Sequence, residues 1–226
     1  MRIFSMLTPY KLYTPTLCRN VTKLQQLAAE LGDPVPPVTE LDIKETERIA
    51  DLLASQAPSN LRGLAYCVGD IVLKPFKRAS IADFQSCFNL HVVGAAECIK
   101  GIEPLLKKNV GSVVLFSSVA VQQGFTNHAV ISSAKGAIEG LTRALAAEFA
   151  PKVRINTIAP SISHSAMAES MLSKESMAQA LAKAHPLARV GKPDDSAALA
   201  SYLLSTDASW VTGQIIGVDG GRAAVA

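Results

Sequence analysis

The pattern that most narrows the folds open to this chain is an alternation of short runs rich in Val, Ile and Leu with longer stretches that place apolar residues at helical spacing. Leu24, Leu27, Ala28 and Leu31 predict a helix over residues 21–31, and Gly32 followed by Pro34 stops it. Residues 38–43 then read as a strand, 45–54 as a helix closed by the turn Ala57-Pro58-Ser59-Asn60, and 61–68 as another strand. Long helices are predicted over 83–106 and 129–149, the second with a stripe of Ala134, Ala137, Ile138, Leu141 and Leu145. Residues 112–117, 153–159 and 214–218 complete the strands, with a helix over 194–205. Strands that are apolar on both faces need cover on both, so the pattern predicts an α/β fold with a doubly wound parallel sheet. A ligand site on such a sheet lies beyond the carboxyl ends of its strands. No repeat or low-complexity linker interrupts the alternation, so residues 1–226 predict a single domain.

Charge removes several function classes. The formal net charge is +3 and charged residues make up 18% of the chain, which supplies no field strong enough to hold nucleic acid or an anionic membrane. No apolar run reaches the roughly 18 residues of a membrane-spanning helix, and the N-terminus lacks a signal peptide's apolar centre. These features predict a cytoplasmic protein whose partner is a small molecule or another subunit. An organelle transit peptide is the alternative reading of the start: Arg2, Lys11, Arg19 and Lys23 precede the first acidic residue, Glu30, although Pro9 and Pro15 interrupt any amphipathic helix there. Cys18, Cys67, Cys87 and Cys98 form no CxxC pair and no zinc-ligand spacing, so they predict buried thiols and no metal site.

Four stretches carry a resemblance. Val113-Val114-Leu115-Phe116-Ser117-Ser118, then Ser133-Ala134-Lys135-Gly136-Ala137-Ile138-Glu139-Gly140-Leu141, then Val153-Arg154-Ile155-Asn156-Thr157-Ile158-Ala159-Pro160, and last Trp210-Val211-Thr212-Gly213-Gln214 with Asp219-Gly220-Gly221. In this order and spacing they resemble the short-chain dehydrogenase/reductase family. The resemblance implies a Rossmann-like fold that binds NADP or NAD, reduces a carbonyl or oxidises an alcohol, and assembles as a homodimer or homotetramer. It also implies a tyrosine acid/base, a lysine four residues later that lowers the tyrosine's pKa and holds the cofactor ribose, a serine that orients the substrate oxygen, and an asparagine that completes a proton relay.

On that pattern Lys135 is the lysine and Ser118, thirteen residues before the tyrosine position, is the serine. The tyrosine position is Ile131, which has no titratable proton, and the relay asparagine is replaced by His91. His91 is a candidate substitute acid, since an unperturbed imidazole titrates near neutral pH, or else a buried histidine making one structural hydrogen bond. His128 is a second candidate, while Ser132 and Ser133 read as residues that cap or line the helix. Ser118 either bonds a substrate oxygen or satisfies backbone at a strand end.

The resemblance places further cofactor contacts at Arg19 (a 2′-phosphate, favouring NADP), Asp42 (adenine, or else a turn-forming aspartate), Gly69 in Tyr66-Cys67-Val68-Gly69, which replaces the family's Asn-Asn-Ala-Gly, and Pro160 and Ser161 on the nicotinamide side, Ser161 standing where the family has glycine. The diphosphate turn is harder to find. Gly32 is the one glycine before Gly63, and if residues 12–18 are the family's second strand, residues 1–11 are too few for a strand, a turn and a crossover helix. The expectation is therefore a truncated or replaced N-terminal β-α unit, with 1–16 an atypical segment, residues 2–7 at most an extra strand, and 163–185 a helix-prone substrate lid. Two functions follow: an NAD(P)-dependent oxidoreductase of weak or absent activity, or a non-catalytic relative that serves as an oligomer partner through the helices at 83–106 and 129–149.

Overall fold

The computed structural model describes residues 16–18, 38–43 and 45–225. Six strands are present among them: β1 (Thr16–Cys18), β2 (Val38–Glu40), β3 (Gly63–Ala65), β4 (Ser112–Phe116), β5 (Arg154–Pro160) and β6 (Ile215–Val218). All pairings are parallel. β1 pairs with β2, and the larger sheet runs β3-β4-β5-β6 with Val113 opposite Leu64 and Ile155. The expected strand at residues 2–7, the helix at 21–31 and Arg19 lie outside the described residues.

Side-chain alternation along β4 builds two cores. Val113 and Leu115 face a cluster with Ile99, Ile102, Leu106, Ile138 and Ile155, whereas Val114 faces Ile158, Ala200 and Leu203. The helices divide accordingly. α1 (Thr46–Gln56), α3 (Gly94–Lys108) and α4 (Ala129–Phe149) build the first layer, and α7 (Pro193–Leu204) covers the other face against β3, β4 and β5. This is the doubly wound arrangement that the apolar strands require, and no helix among the described residues is long and apolar enough to cross a membrane.

The helix expected over 83–106 is one continuous rod with a defect in it. α2 (Ile81–Phe88) starts at a capping box, with Asp83 N–H donating to Ser80 Oγ and Ser80 N–H to Asp83 Oδ2, and continues through a π-helical turn (Asn89–Val93) into α3. The wide turn coincides with Tyr66, whose phenol donates to the Leu90 carbonyl at 2.6 Å and so takes up an acceptor within the turn. Residues 61–68 yield only the short β3, although the Tyr66 N–H still donates to the Val114 carbonyl at 3.0 Å while its phenol reaches that turn. Cys87 and Cys98 are buried as expected, but Cys67 is exposed, a correction that follows from its place in the loop just past β3. The segment 163–185 carries two short helices, α5 (Glu169–Leu172) and α6 (Glu175–Lys183).

Glycine lets α1 and α3 touch. A Cβ on Gly101 would stand 2.5 Å from the Ala50 backbone oxygen and 2.8 Å from its Cα, and helix backbone cannot swing aside as a side-chain tip can. Gly140, on the exposed side of α4, has nothing within 4 Å of that position. Gly101→Ala is therefore expected to destabilise by about 2 kcal/mol, while Gly140→Ala stabilises by about 0.5–1 kcal/mol through helix propensity alone. Urea unfolding of the two variants reads both signs, and a stable Gly101→Ala protein would refute the close approach.

Candidate active site

The carboxyl ends of β3, β4 and β5 and the first turns of α4 bring the expected site residues into one region. Lys135, on the second turn of α4, donates from Nζ to the Phe116 carbonyl at the end of β4, at 2.7 Å. That acceptor engages one of the ammonium's three donors, and the other two have no protein acceptor among the described residues. Burial of the ammonium pushes the lysine down to about 8, against the upward pull of Cys87, Cys67 and Asp70.

Ser118 caps the short 3-10 turn Val119–Val121, its Oγ accepting from Ala120 N–H at 3.2 Å, which leaves the hydroxyl proton available to a substrate oxygen. Its neighbour Ser117 is buried and donates to Glu139 Oε1 at 2.8 Å. Ile131, one turn before Lys135, is 4% exposed and sits in an apolar cluster with Cys87, Val130 and Ala134, flanked by Val72 and Phe84. No proton donor replaces the tyrosine at that position.

His91 lies in the π turn and is 2% exposed. Its Nε2 is 3.2 Å from the Asp70 carbonyl, which can only accept, and 3.5 Å from the Asp70 N–H; the shorter contact favours the proton on Nε2, and Nδ1 has no hydrogen-bond partner. Gly69 presses on the ring, since a Cβ there would stand 2.5 Å from His91 Cε1. Burial, and then the Lys135 charge, push the imidazole down to about 4 in spite of Asp70. Asp70, Cys87 and His91 bring potential ligand atoms within 4.8 Å of one another, but any cation among them would face the Lys135 ammonium. Tyr66 offers no substitute acid, because its proton is committed to Leu90 and burial raises its pKa.

The remaining residues divide clearly. Asp42 is half-buried just beyond β2, Pro160 ends β5, and Ser161 follows it with its hydroxyl on His185 rather than on Lys135 or Ser118. His128 is half-buried, with Nδ1 against the Thr126 carbonyl at 2.7 Å, and Ser132 and Ser133 bond the Ala120 and Ala129 carbonyls. The partners that sequence reasoning missed are Asp70, Glu139 and His185. Of these, Glu139 alone carried a signal, standing one helical turn after Lys135.

With this geometry in place, comparison with known proteins is informative. The family described as "Enoyl-(Acyl carrier protein) reductase" matches residues 16–223. The chain belongs to the short-chain dehydrogenase/reductase family. A tropinone reductase homolog of Arabidopsis thaliana is 32% identical over 179 residues, covering 78% of this chain and 68% of that protein. Two other Arabidopsis homologs are matched over 56% and 58% of their own lengths, so the chain spans little more than half of those relatives. A Xanthobacter autotrophicus protein named "Inactive 2-(S)-hydroxypropyl-CoM dehydrogenase 2" is 31% identical, with 89% of this chain and 90% of that one covered.

Among solved structures, a short-chain dehydrogenase/reductase of Brucella melitensis superposes with a TM-score of 0.84 at 30% identity, over 92% of this chain and 86% of that one. A gluconate 5-dehydrogenase of Burkholderia cenocepacia, solved with NADP and tartrate, shares the fold at 20% identity with a TM-score of 0.86, over 95% and 86% of the two chains. The fold class expected from the sequence is thus the observed one, and the chain is an oxidoreductase-family protein.

Proposed function

We propose that this protein uses the dehydrogenase scaffold to bind NADP or NAD and interconverts a small carbonyl compound and its alcohol only slowly. The observation that carries the reading is Ile131: where the family places its acid, a buried aliphatic side chain stands one turn from an intact lysine. Loss of a positioned general acid costs about 10²–10⁴ in rate.

The site retains groups that fit the cofactor. One spare donor of Lys135 suits a ribose hydroxyl and leaves the other for a substrate oxygen, the Pro160-Ser161 loop and Gly69 flank the same strand ends, and the family resemblance gives the adenosine half to Asp42 and to Arg19, the latter outside the described residues. A bound nicotinamide would supply the hydride. The protein's own share is the proton, and Lys135 is the group able to give it: with a pKa of about 8 its ammonium is charged at neutral pH yet acidic enough to donate. Ser118 would orient the substrate oxygen. His91 is uncharged at neutral pH and its N–H is committed to Asp70, so we assign it the positioning of the 69–70 loop rather than the acid role.

Titrating the protein with NADPH and with NADH while following nicotinamide fluorescence tests the binding. Turnover of a panel of small diketones then tests the chemistry. The expected result is saturable binding and a slow rate that falls as pH rises through about 8, where Lys135 loses its proton, and that Lys135→Met abolishes. A rate that persists unchanged in Lys135→Met would remove the lysine from the mechanism.

One observation favours a second reading. A cleft of about 280 Å³ lined by Phe84, Phe88, Val130 and Ala134 lies where α2 meets α4, and Phe76 and Ile81, earlier in the chain, are exposed. Such a face suits a second copy of the chain, and a relative named as inactive is in keeping with a non-catalytic member of the family. An intact homodimer or homotetramer that binds neither nucleotide would favour this reading over the first.

A further inference from the structure

A second constellation lies between β5, β6 and the start of α7. Ser161 Oγ is 2.8 Å from His185 Nε2, and His185 Nδ1 is 2.7 Å from the Leu181 carbonyl oxygen. A carbonyl only accepts, so Nδ1 must carry the ring proton. Nε2 is then a bare lone pair, and the serine hydroxyl donates to it. This is a nucleophile, a base, and an acceptor that fixes the base's tautomer, within hydrogen-bond reach of one another. His185 is 3% exposed, and Gly220 and Gly221, with φ of 62° and 87°, fold the loop after β6 against His185 and Pro186.

Both side chains line a cavity of about 520 Å³, and Ser118, Ile131, Lys135 and His91 do not. Ile162, next after the serine, and Gly220 also line this cavity, and the backbone N–H of neither has a protein acceptor among the described residues. They are candidate donors to an oxyanion. The lining carries Asp194, Asp195 and Asp219 against the single Arg189. Asp195 holds Arg189 through two bonds of 2.7 and 2.9 Å, and Asp219 accepts from Gly221 and Ala223 N–H. Asp194 has no ion-pair partner among the described residues, so it is the carboxylate left for a cation.

We infer that Ser161 and His185 hydrolyse small esters that carry a positively charged substituent, independently of any nicotinamide. Ser161 Oγ bonds to the ester carbonyl carbon as its proton passes to His185 Nε2. The carbon–oxygen ester bond breaks, and the leaving alkoxide takes that proton away as an alcohol. Water then attacks the acyl-serine, giving its proton to Nε2. The carbon–Oγ bond breaks, and Ser161 recovers the proton, so ester and water become acid and alcohol with no change of oxidation state.

Incubating the full chain with a fluorophosphonate and locating the adduct by mass spectrometry tests the nucleophile. Hydrolysis of acetylthiocholine and of its uncharged tert-butyl isostere tests the substrate class. The expected results are an adduct on the Ser161 peptide, none in Ser161→Ala, labelling slower by about 100-fold in His185→Gln, and a preference for the charged ester that Asp194→Asn removes. Wild-type labelling is readable without any variant, so a His185→Gln protein that does not fold leaves the test intact. No adduct on Ser161 in the folded protein, or ester hydrolysis undiminished in Ser161→Ala, would overturn the inference.

Discussion

Replacing Ile131 with tyrosine is expected to raise carbonyl-reductase turnover by about two orders of magnitude or more, because it returns a titratable proton to the one position from which it is missing. Lys135 stands one turn further along α4, and its ammonium would lower the phenol's pKa as it does for the family's tyrosine. Ser118 has a hydroxyl proton to share. The added ring must displace part of the cluster around Cys87 and Phe84, so some stability is lost on overpacking. Ile131→Phe controls for that cost, carrying the same ring without the acid, and should gain nothing. In the tyrosine variant, Lys135→Met should cancel the increase. A protein with Tyr at 131 that binds NADPH as well as the parent yet turns over no faster would show that the defect lies elsewhere.

This prediction rests on the part of the molecule that was easiest to read in the chain. β4 and α4 are found where the sequence puts them, because a strand buried on both faces and a helix with a continuous apolar stripe each leave an unambiguous periodicity. That register puts Ile131 and Lys135 one turn apart on α4, while their site roles come from the family resemblance. The π turn does not follow from the local pattern, since it goes with the Tyr66 phenol on Leu90, a contact made across 24 residues of chain. The same limit hid the Ser161–His185 pair, also separated by 24 residues, with His185 read only as the end of a lid. Pairings of this kind are set by how β5, β6 and α7 close on one another, and no local pattern encodes them. His91 shows an intermediate case. Its position was legible, but its charge state was not, because that depends on burial and on Lys135 from another helix.

That charge state has a measurable consequence for folding. Held at about 4 in the native protein against an ordinary 6.5, His91 binds fewer protons folded than unfolded throughout that interval. Stability therefore rises with pH between the two values, is complete above 6.5, and is lost as pH falls through 4, where the imidazolium must sit buried with a charged Lys135 nearby. A shift of this size corresponds to about 3 kcal/mol. Asp83, held down to about 2 chiefly by Lys74, loses its contribution only below the ordinary carboxylate value, and that loss is common to parent and variant. His91→Asn, which fits the same site without a titrating ring, isolates the histidine. Urea unfolding at pH 7 and pH 4.5 should show the parent losing about 2 kcal/mol more than the variant. Equal losses in the two proteins would mean that His91 reaches water or a counter-ion when it is charged, and that the Asp70 loop opens rather than strains.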